Sequence, residues 1–239
     1  MCMFKSMLLL KDKVFCPNYD SHEDMINETG MEHGPMRENF VRVEITPPDD
    51  DLTVPIDKWK YKVDQDYLPE WYVEEVDKPR CFDALKAWAV KHILVGQDVP
   101  EVKQGEFVVL VNCNTGIVKG TVQKVWGGTV QEVHGGGTVQ KVWGGTVQKV
   151  WGGGTVQKVW DGGTVQEVRG GTVQKVRGGG TVQEVWDGGT VQEVRGGTVQ
   201  EVWDGTVQKQ TGGIVIYADG CISVCNKNFY RLITPEEMK

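Results

Sequence analysis

Few side chains in this sequence combine the type and the spacing that catalysis or metal binding requires. A cysteine beside a histidine can act as a nucleophile with its base, and structural zinc needs closely spaced pairs of ligands. The six cysteines are scattered, and only Cys221 and Cys225 are near enough to form half of a zinc site, although two such thiols suit a strand core equally well. We therefore predict no metal and no cofactor. The four histidines are His22, His33, His92 and His134.

Other signatures of catalysis are also missing from the sequence. It contains no Gly-x-Ser-x-Gly elbow, no phosphate-binding loop and no dinucleotide fingerprint. Its Gly-Gly corners recur with a repeat and precede no helix, so they are not phosphate loops. The acidic run of Asp49, Asp50 and Asp51 is typical of a solvated loop. The sequence therefore predicts a protein that is not an enzyme.

The charge of the chain is uneven along its length. Residues 1–116 contain 13 Lys and Arg against 22 Asp and Glu, a net charge of −9, whereas residues 117–213 contain 10 against 8, a net charge of +2. A general nucleic-acid binder would show a basic excess, so we do not expect nucleic acid as the main partner. No segment approaches the roughly 18 apolar residues of a membrane span, and the N-terminal apolar run is too short for a secretion signal. We therefore expect a cytoplasmic protein with free thiols and no membrane partner.

A phrase of eight or nine residues dominates the middle of the sequence. Its first copy is Thr-Val-Gln-Lys-Val-Trp-Gly-Gly. Each glycine costs roughly 1 kcal/mol in a helix, and β-branched Thr and Val add to that cost, so the phrase is predicted to be β. The threonines that begin the phrases are Thr121, Thr129, Thr138, Thr146, Thr155, Thr164, Thr172, Thr181, Thr190, Thr198 and Thr206.

The spacing of the two valines in each phrase indicates which β structure forms. Val122 and Val125 are three residues apart, so a straight strand would place them on opposite faces. If the chain bends between Gln123 and Lys124, both valines point inward and their neighbours point outward. Two phrases then close one coil of 16–18 residues, and coils of near-constant length stack as a β-solenoid with a valine core. An antiparallel meander or barrel with Gly-Gly hairpin turns is the alternative.

The charged fourth position of the phrase follows the same two-phrase period. Odd phrases mostly have Lys and even phrases mostly have Glu, so either fold would place the two charges on different sides. The odd series is Lys124, Lys141, Lys158, Lys175, Glu193 and Lys209. The even series is Glu132, Lys149, Glu167, Glu184 and Glu201.

The segment before the repeats is predicted to be a small α+β head over residues 1–112 that caps the amino end of the solenoid. Alternating apolar residues predict strands at 41–45 and 59–63. A helix is predicted to begin at an Asp77 cap and to end near Gly96, with an apolar residue on one face every three or four positions.

The repeats and the segment after them complete the predicted architecture. The apolar strand 107–111 leads into the first coil, and residues 113–212 are predicted to form the solenoid. Residues 213–239 abandon the phrase and are predicted to form a C-terminal β cap with a hairpin that turns at Asp219 and Gly220. Such caps are expected because an open solenoid end exposes unpaired backbone.

Several segments together resemble a known group of proteins. LKDKVFCPNYDSHEDMI, FVRVEITPPD, WKYKVDQDYLPEWY and the Thr-Val-Gln phrases are similar to segments of uncharacterised proteins of gut bacteria and their phages. Those proteins join a short head to many short β-solenoid-like repeats, and the resemblance extends over nearly the whole chain. It implies a bacterial or phage cytoplasmic context, and it implies nothing about catalytic residues.

The sixth position of the phrase contains the candidate binding residues. These side chains point outward if the chain bends as predicted, and Trp and Arg are the residues enriched at binding hot spots. The alternative is that they only stack on one another between coils. The predicted partner-binding residues are Trp126, Trp143, Trp151, Trp160, Arg169, Arg177, Trp186, Arg195 and Trp203.

We predict from this surface a non-enzymatic module that binds a protein partner or another copy of itself. The resemblance to phage proteins suggests a factor that binds and blocks a host defence protein. Two alternatives are binding of single-stranded nucleic acid or carbohydrate through exposed tryptophans, and a purely structural rod.

Overall fold

The structure is a computed structural model, and it describes residues 5–31, 39–226 and 229–238. The chain is mostly β, as predicted, and divides into two compact units, Met1–His92 and Ile93–Lys239. Cys2 and His33 lie outside the described residues. Within those residues, no helix has both the length and the apolar character needed to cross a membrane.

The first unit contains a four-stranded antiparallel sheet and two α-helices, which confirms the small α+β region. The strand order in the sheet is β2-β1-β3-β4, and the predicted strands 41–45 and 59–63 correspond to β3 and β4. The elements are β1 (Lys5–Leu10), β2 (Val14–Phe15), α1 (His22–Thr29), β3 (Phe40–Thr46), β4 (Lys60–Val63) and α2 (Glu74–His92), with short 3-10 helices at Pro48–Asp50 and Ile56–Lys58.

Helix α2 differs from its prediction at both ends. Asp77 lies in the first turn, not before it, and its carboxylate accepts a hydrogen bond from the Val73 N–H at 2.9 Å. The Asp77 side chain therefore caps the amino end of the helix, although Asp77 itself lies in the first turn. The predicted end near Gly96 is wrong because the aliphatic residues Ile93–Val95 leave the helix and pair as a strand of the second unit.

The second unit is a β-solenoid of about seven turns. Its repeat strands run parallel, and each pairs in register with the phrase two before it and the phrase two after it. Thr155, for example, pairs with Thr138 on one side and with Thr172 on the other. This pairing confirms the two-phrase coil, and the antiparallel meander is wrong.

Three strands before the first phrase and two after the last complete the second unit. β5 and β6 pair in parallel with β7, and β7 pairs in parallel with the first repeat strand. The last strands form the predicted antiparallel hairpin, with Gly220 in its turn at a φ of +85°. The strands are β5 (Ile93–Val95), β6 (Asp98–Val102), β7 (Phe107–Val118), β8 (Thr121–Val133), β9 (Thr138–Trp143), β10 (Thr146–Trp151), β11 (Thr155–Trp160), β12 (Thr164–Arg169), β13 (Thr172–Val176), β14 (Thr181–Trp186), β15 (Thr190–Val202), β16 (Thr206–Tyr217), β17 (Ile222–Asn226) and β18 (Phe229–Ile233).

Both valines of each of the first ten phrases lie in one dry interior, as predicted, and the eleventh phrase has Gln210 in place of its second valine. In the first phrase, Val122 is 0% exposed and Val125 is 1% exposed. Residues three apart share a face only if the strand changes direction between them, and the pairing between coils skips the Gln of each phrase. Each buried valine contributes about 1.5–3 kcal/mol, so the stacked valines are the main force that holds the coils together.

Candidate binding faces

The fourth and sixth side chains of each phrase flank a buried valine and therefore lie outside the coil. Odd phrases form a surface that we call the Lys–Trp face, and even phrases form the Glu–Trp face on a different side of the coil. The Lys–Trp face consists of Lys124, Lys141, Lys158, Lys175, Glu193 and Lys209 with Trp126, Trp143, Trp160, Arg177 and Arg195. The Glu–Trp face consists of Glu132, Lys149, Glu167, Glu184 and Glu201 with His134, Trp151, Arg169, Trp186 and Trp203.

Three indoles of the Lys–Trp face stack in one column. The ring centroids of Trp126 and Trp143 are 6.0 Å apart, and those of Trp143 and Trp160 are 5.8 Å apart, with interplanar angles of 10° and 17°. The Lys124 ammonium lies 4.2 Å from the Trp126 ring centroid and 4.1 Å from the Trp143 ring centroid, which adds a cation–π contact. The rings are only partly buried, so the column is both a zipper between coils and a surface.

The Glu–Trp face contains two shorter aromatic contacts. Trp186 and Trp203 stack with their centroids 4.9 Å apart and an interplanar angle of 8°. His134 and Trp151 are also 4.9 Å apart, but their rings are tilted by 41°. Arg169 pairs with Trp151 on one side and with Trp186 on the other, and it separates the two contacts. The nine predicted binding residues thus lie in two columns, five on one face and four on the other.

The three arginines among the predicted binding residues differ in their surroundings. Arg169 Nε lies 2.9 Å from a carboxylate oxygen of Asp187, and Arg195 Nε lies 2.8 Å from a carboxylate oxygen of Glu193. Arg177 has no carboxylate within 4 Å in the described part of the chain, and its buried Nε finds no hydrogen-bond partner there.

Lysines occupy the same position in successive coils along the Lys–Trp face. Lys158 pairs in register with Lys141 on one side and with Lys175 on the other. Burial lowers the pKa of Lys158, and the charges of Lys141, Arg177 and Lys175 lower it further. Among the described residues, no carboxylate lies within 4 Å of Lys141 or Lys158, so their charges are not neutralised within the chain.

Glutamates stand above one another along the Glu–Trp face. Glu184 pairs in register with Glu167 on one side and with Glu201 on the other. Glu184 accepts a hydrogen bond from the Trp186 indole N–H at 2.8 Å, and Glu201 accepts one from the Trp203 indole N–H at 3.0 Å. In the described ranges, no cation lies within 4 Å of Glu184 or Glu201.

A shallow groove of about 520 Å³ follows the bend of the even phrases beside the Glu–Trp face. Its walls are the third-position glutamines and the fourth-position charged residues of four successive even phrases. Small-molecule sites are mostly apolar, so this polar groove is not a typical ligand pocket. The lining residues are Gln131, Glu132, Gln148, Lys149, Gln166, Glu167, Gln183 and Glu184.

Comparisons with protein-family models, with curated proteins and with solved structures found no match to this chain. The resemblance to proteins of gut bacteria and phages therefore stays an interpretation of the residues. The binding role of the two faces stays a prediction as well, and it depends on their geometry alone.

One cluster of possible metal ligands escaped the sequence analysis. Ligand atoms of His22, Glu44 and Asp64 all lie within 4.8 Å of one another, although the three residues belong to separate elements of the first unit. The Lys62 ammonium lies 2.6 Å from Asp64 and 3.8 Å from Glu44, and its hydrogen bond lowers the pKa of Asp64. The Lys62 ammonium already offsets one of the two carboxylate charges, and only the fold brings the members of the cluster together.

Proposed function

We propose that this chain is a non-enzymatic repeat protein that binds other proteins through its Lys–Trp and Glu–Trp faces. The observation that supports the proposal is that indoles on the outside of the coils stay partly exposed, with Trp151 at 42% and Trp203 at 48% on the Glu–Trp face. Contiguous apolar patches of this kind mark interaction sites on soluble proteins, and Trp and Arg are enriched at binding hot spots.

The stacking that fixes the indoles also favours binding. Trp143, held between Trp126 and Trp160, has already lost most of its rotamer freedom. Ordering a side chain on binding ordinarily costs about 0.5–1.5 kcal/mol, and an indole ordered in advance avoids that cost. A structural zipper and a binding surface are therefore compatible roles for one column.

Binding of single-stranded nucleic acid or of a carbohydrate is a second candidate, favoured by the lysines beside the indoles. Nucleic-acid bases need a free aromatic face on which to stack. Both faces of Trp143 are covered by neighbouring indoles at 6.0 Å and 5.8 Å, so mainly ring edges are free. A protein partner suits ring edges better. A salt-sensitive gel shift with single-stranded DNA would support the second candidate, and no shift would leave the first.

Two finer possibilities follow from the same surface. The resemblance to phage proteins supports a cytoplasmic factor that binds and blocks a bacterial defence protein. A purely structural rod is the other possibility, in which the number of coils sets a length. Deleting one two-phrase coil would then change function through geometry alone, whereas substitutions on the two faces would not.

A pull-down from a bacterial lysate tests the proposal. We expect a variant without three of the indoles to lose partners that the wild type captures. The matched control removes third-position glutamines from the same strands, which leaves both faces intact, and circular dichroism checks that every variant is folded. Equal recovery of partners by both variants would contradict the proposal. The test residues are Trp143, Trp160 and Trp186, and the control residues are Gln140, Gln157 and Gln183, each replaced by Ala.

A further inference from the structure

The fourth-position residues of the two faces carry opposite charges at the same spacing. Each series follows parallel strands that stack roughly 4.8 Å apart, so both present one charge per coil at that interval. From Lys141 to Lys209, the Lys–Trp face carries three positive charges, one negative and one positive. From Glu201 back to Glu132, the Glu–Trp face carries three negative charges, one positive and one negative.

These two series match rung for rung when they run in opposite directions. We propose that a second copy of this chain docks its Glu–Trp face, antiparallel, onto the Lys–Trp face of the first. The proposal rests on the proposed function and names the partner of the same two faces. The first three of the five contacts are Lys141 with Glu201, Lys158 with Glu184, and Lys175 with Glu167, the glutamates being those of the second copy.

The exceptions in each series support this particular alignment. Glu193 is the one acidic residue of its series and Lys149 the one basic residue of the other, and the alignment brings them together. The next rung pairs Lys209 with Glu132. When the fourth-position charges alone are compared, every other alignment that overlaps four or more rungs, in either direction, brings at least one pair of like charges together.

The cost of the charge arrangement within one chain also points to a partner. Like charges in register on neighbouring strands destabilise a sheet. Lys141 and Lys158 have no carboxylate within 4 Å in the described ranges, and Glu184 and Glu201 have no cation there. Lys149 with Glu167, and Lys175 with Glu193, already form ion pairs of 3.6 Å and 3.9 Å within the chain, and a second copy would neutralise the charges that have none. Because the two faces differ, the contact is heterologous: it leaves the Glu–Trp face free on the first copy and the Lys–Trp face free on the second, so the assembly grows side by side.

Light scattering and analytical ultracentrifugation on the full chain test the proposal. We expect the wild type to grow in mass with concentration at low ionic strength and to return to monomer in high salt, where exposed charges are screened. Lys158→Glu alone and Glu184→Lys alone should each weaken assembly about tenfold, since each reversal replaces an attractive contact by a repulsive one. Both reversals relieve like-charge contacts inside the chain, so both variants are expected to fold.

Two double variants test whether the charged residues pair in the proposed alignment. Lys158→Glu with Glu184→Lys restores opposite charges at one rung and should assemble like the wild type. Lys158→Glu with Glu201→Lys creates two like-charged rungs and should assemble worse than either single variant. A wild type that stays monomeric at low salt, or equal assembly by both double variants, would overturn the proposal. A monomeric chain that still captured proteins from a lysate through its indoles would leave the proposed function standing.

Discussion

One glycine at a coil corner tests how closely neighbouring coils must approach. A Cβ on Gly154 would lie 2.1 Å from the carbonyl oxygen of Val133 in the preceding coil, far inside van der Waals contact. The adjacent Gly153 has a φ of +82°, but a Cβ there would meet nothing within 4 Å. We therefore expect Gly154→Ala to destabilise the solenoid much more than Gly153→Ala does.

The expected magnitude follows from the hydrogen bonds around this corner. Moving the new Cβ out to 3.4 Å separates the corner from the preceding coil and breaks two backbone bonds: Thr155 N–H to Gly137 O at 2.9 Å and Gly135 N–H to Gly152 O at 3.2 Å. Gly135 and Gly152 are exposed, so water can replace their bond, whereas Gly137 is buried and Thr155 is half-buried. Each buried group left unsatisfied costs about 1–3 kcal/mol, so loss of both ends of the Thr155–Gly137 bond costs about 2–6 kcal/mol. Gly153→Ala adds only the left-handed backbone cost of about 1–2 kcal/mol.

Urea unfolding followed by tryptophan fluorescence measures the difference between the two variants. The next corner offers an independent repeat, because a Cβ on Gly163 would lie 2.4 Å from Val142 O whereas one on Gly162 would meet nothing within 4 Å. Equal unfolding midpoints within each pair would refute the reasoning. Such a result would mean that the close approach of the coils at Gly154 and Gly163 costs no more than the positive φ at Gly153 and Gly162.

Three further predictions concern stability. Asp20→Asn removes the negative charge 2.9 Å from the Lys5 ammonium, which is 1% exposed, and leaves that cation with neutral partners such as the Tyr19 carbonyl oxygen, so it should lower the free energy of unfolding by about 3–5 kcal/mol. The double variant Lys5→Met with Asp20→Asn removes both charges and should cost much less. A hydrogen bond from Arg195 lowers the pKa of Glu193, so Glu193 stabilises the fold above about pH 4 and ceases to do so as the pH falls through its lowered pKa. Thermal melts should show Glu193→Gln less stable than the wild type at pH 7 and equal to it in acid. Trp143→Ala removes two ring contacts and should cost about 1–3 kcal/mol in urea unfolding.

The features that the sequence predicted are those that every coil must repeat. Val122 and Val125 both have to be buried, and three-residue spacing allows that only with a bend, so the solenoid followed from one phrase. The segregation of Lys and Glu followed from the same two-phrase period. The same bend predicts which side chains lie outside the coil, and it therefore predicts the columns of indoles.

The features that the sequence missed depend on partners far along the chain. Ile93–Val95 was predicted as the end of a helix because its pairing partner, Val109–Val111, lies beyond a further strand. The start of α2 depends on the Asp77 carboxylate, which reaches back to the Val73 N–H. Neither contact leaves a periodic signal. The cluster of His22 with two carboxylates is equally invisible before folding.

The departures from the repeat carry more information about binding than the repeat does. The first valine recurs in every phrase because each coil must fill the same core. The fourth position faces outward, where the stack itself imposes no choice, and alternating Lys with Glu within each column would remove the repulsion between coils. The chain instead separates the charges and places Glu193 and Lys149 as single exceptions. Both exceptions relieve repulsion within the chain, since Glu193 lies within 4 Å of Lys175 and Lys209, and Lys149 lies 3.6 Å from Glu167. The uninterrupted pairs of like charges that remain, Lys141 with Lys158 and Glu184 with Glu201, bring no such gain to a rod that only sets a length, and under the proposed docking they are the charges that a second copy would neutralise.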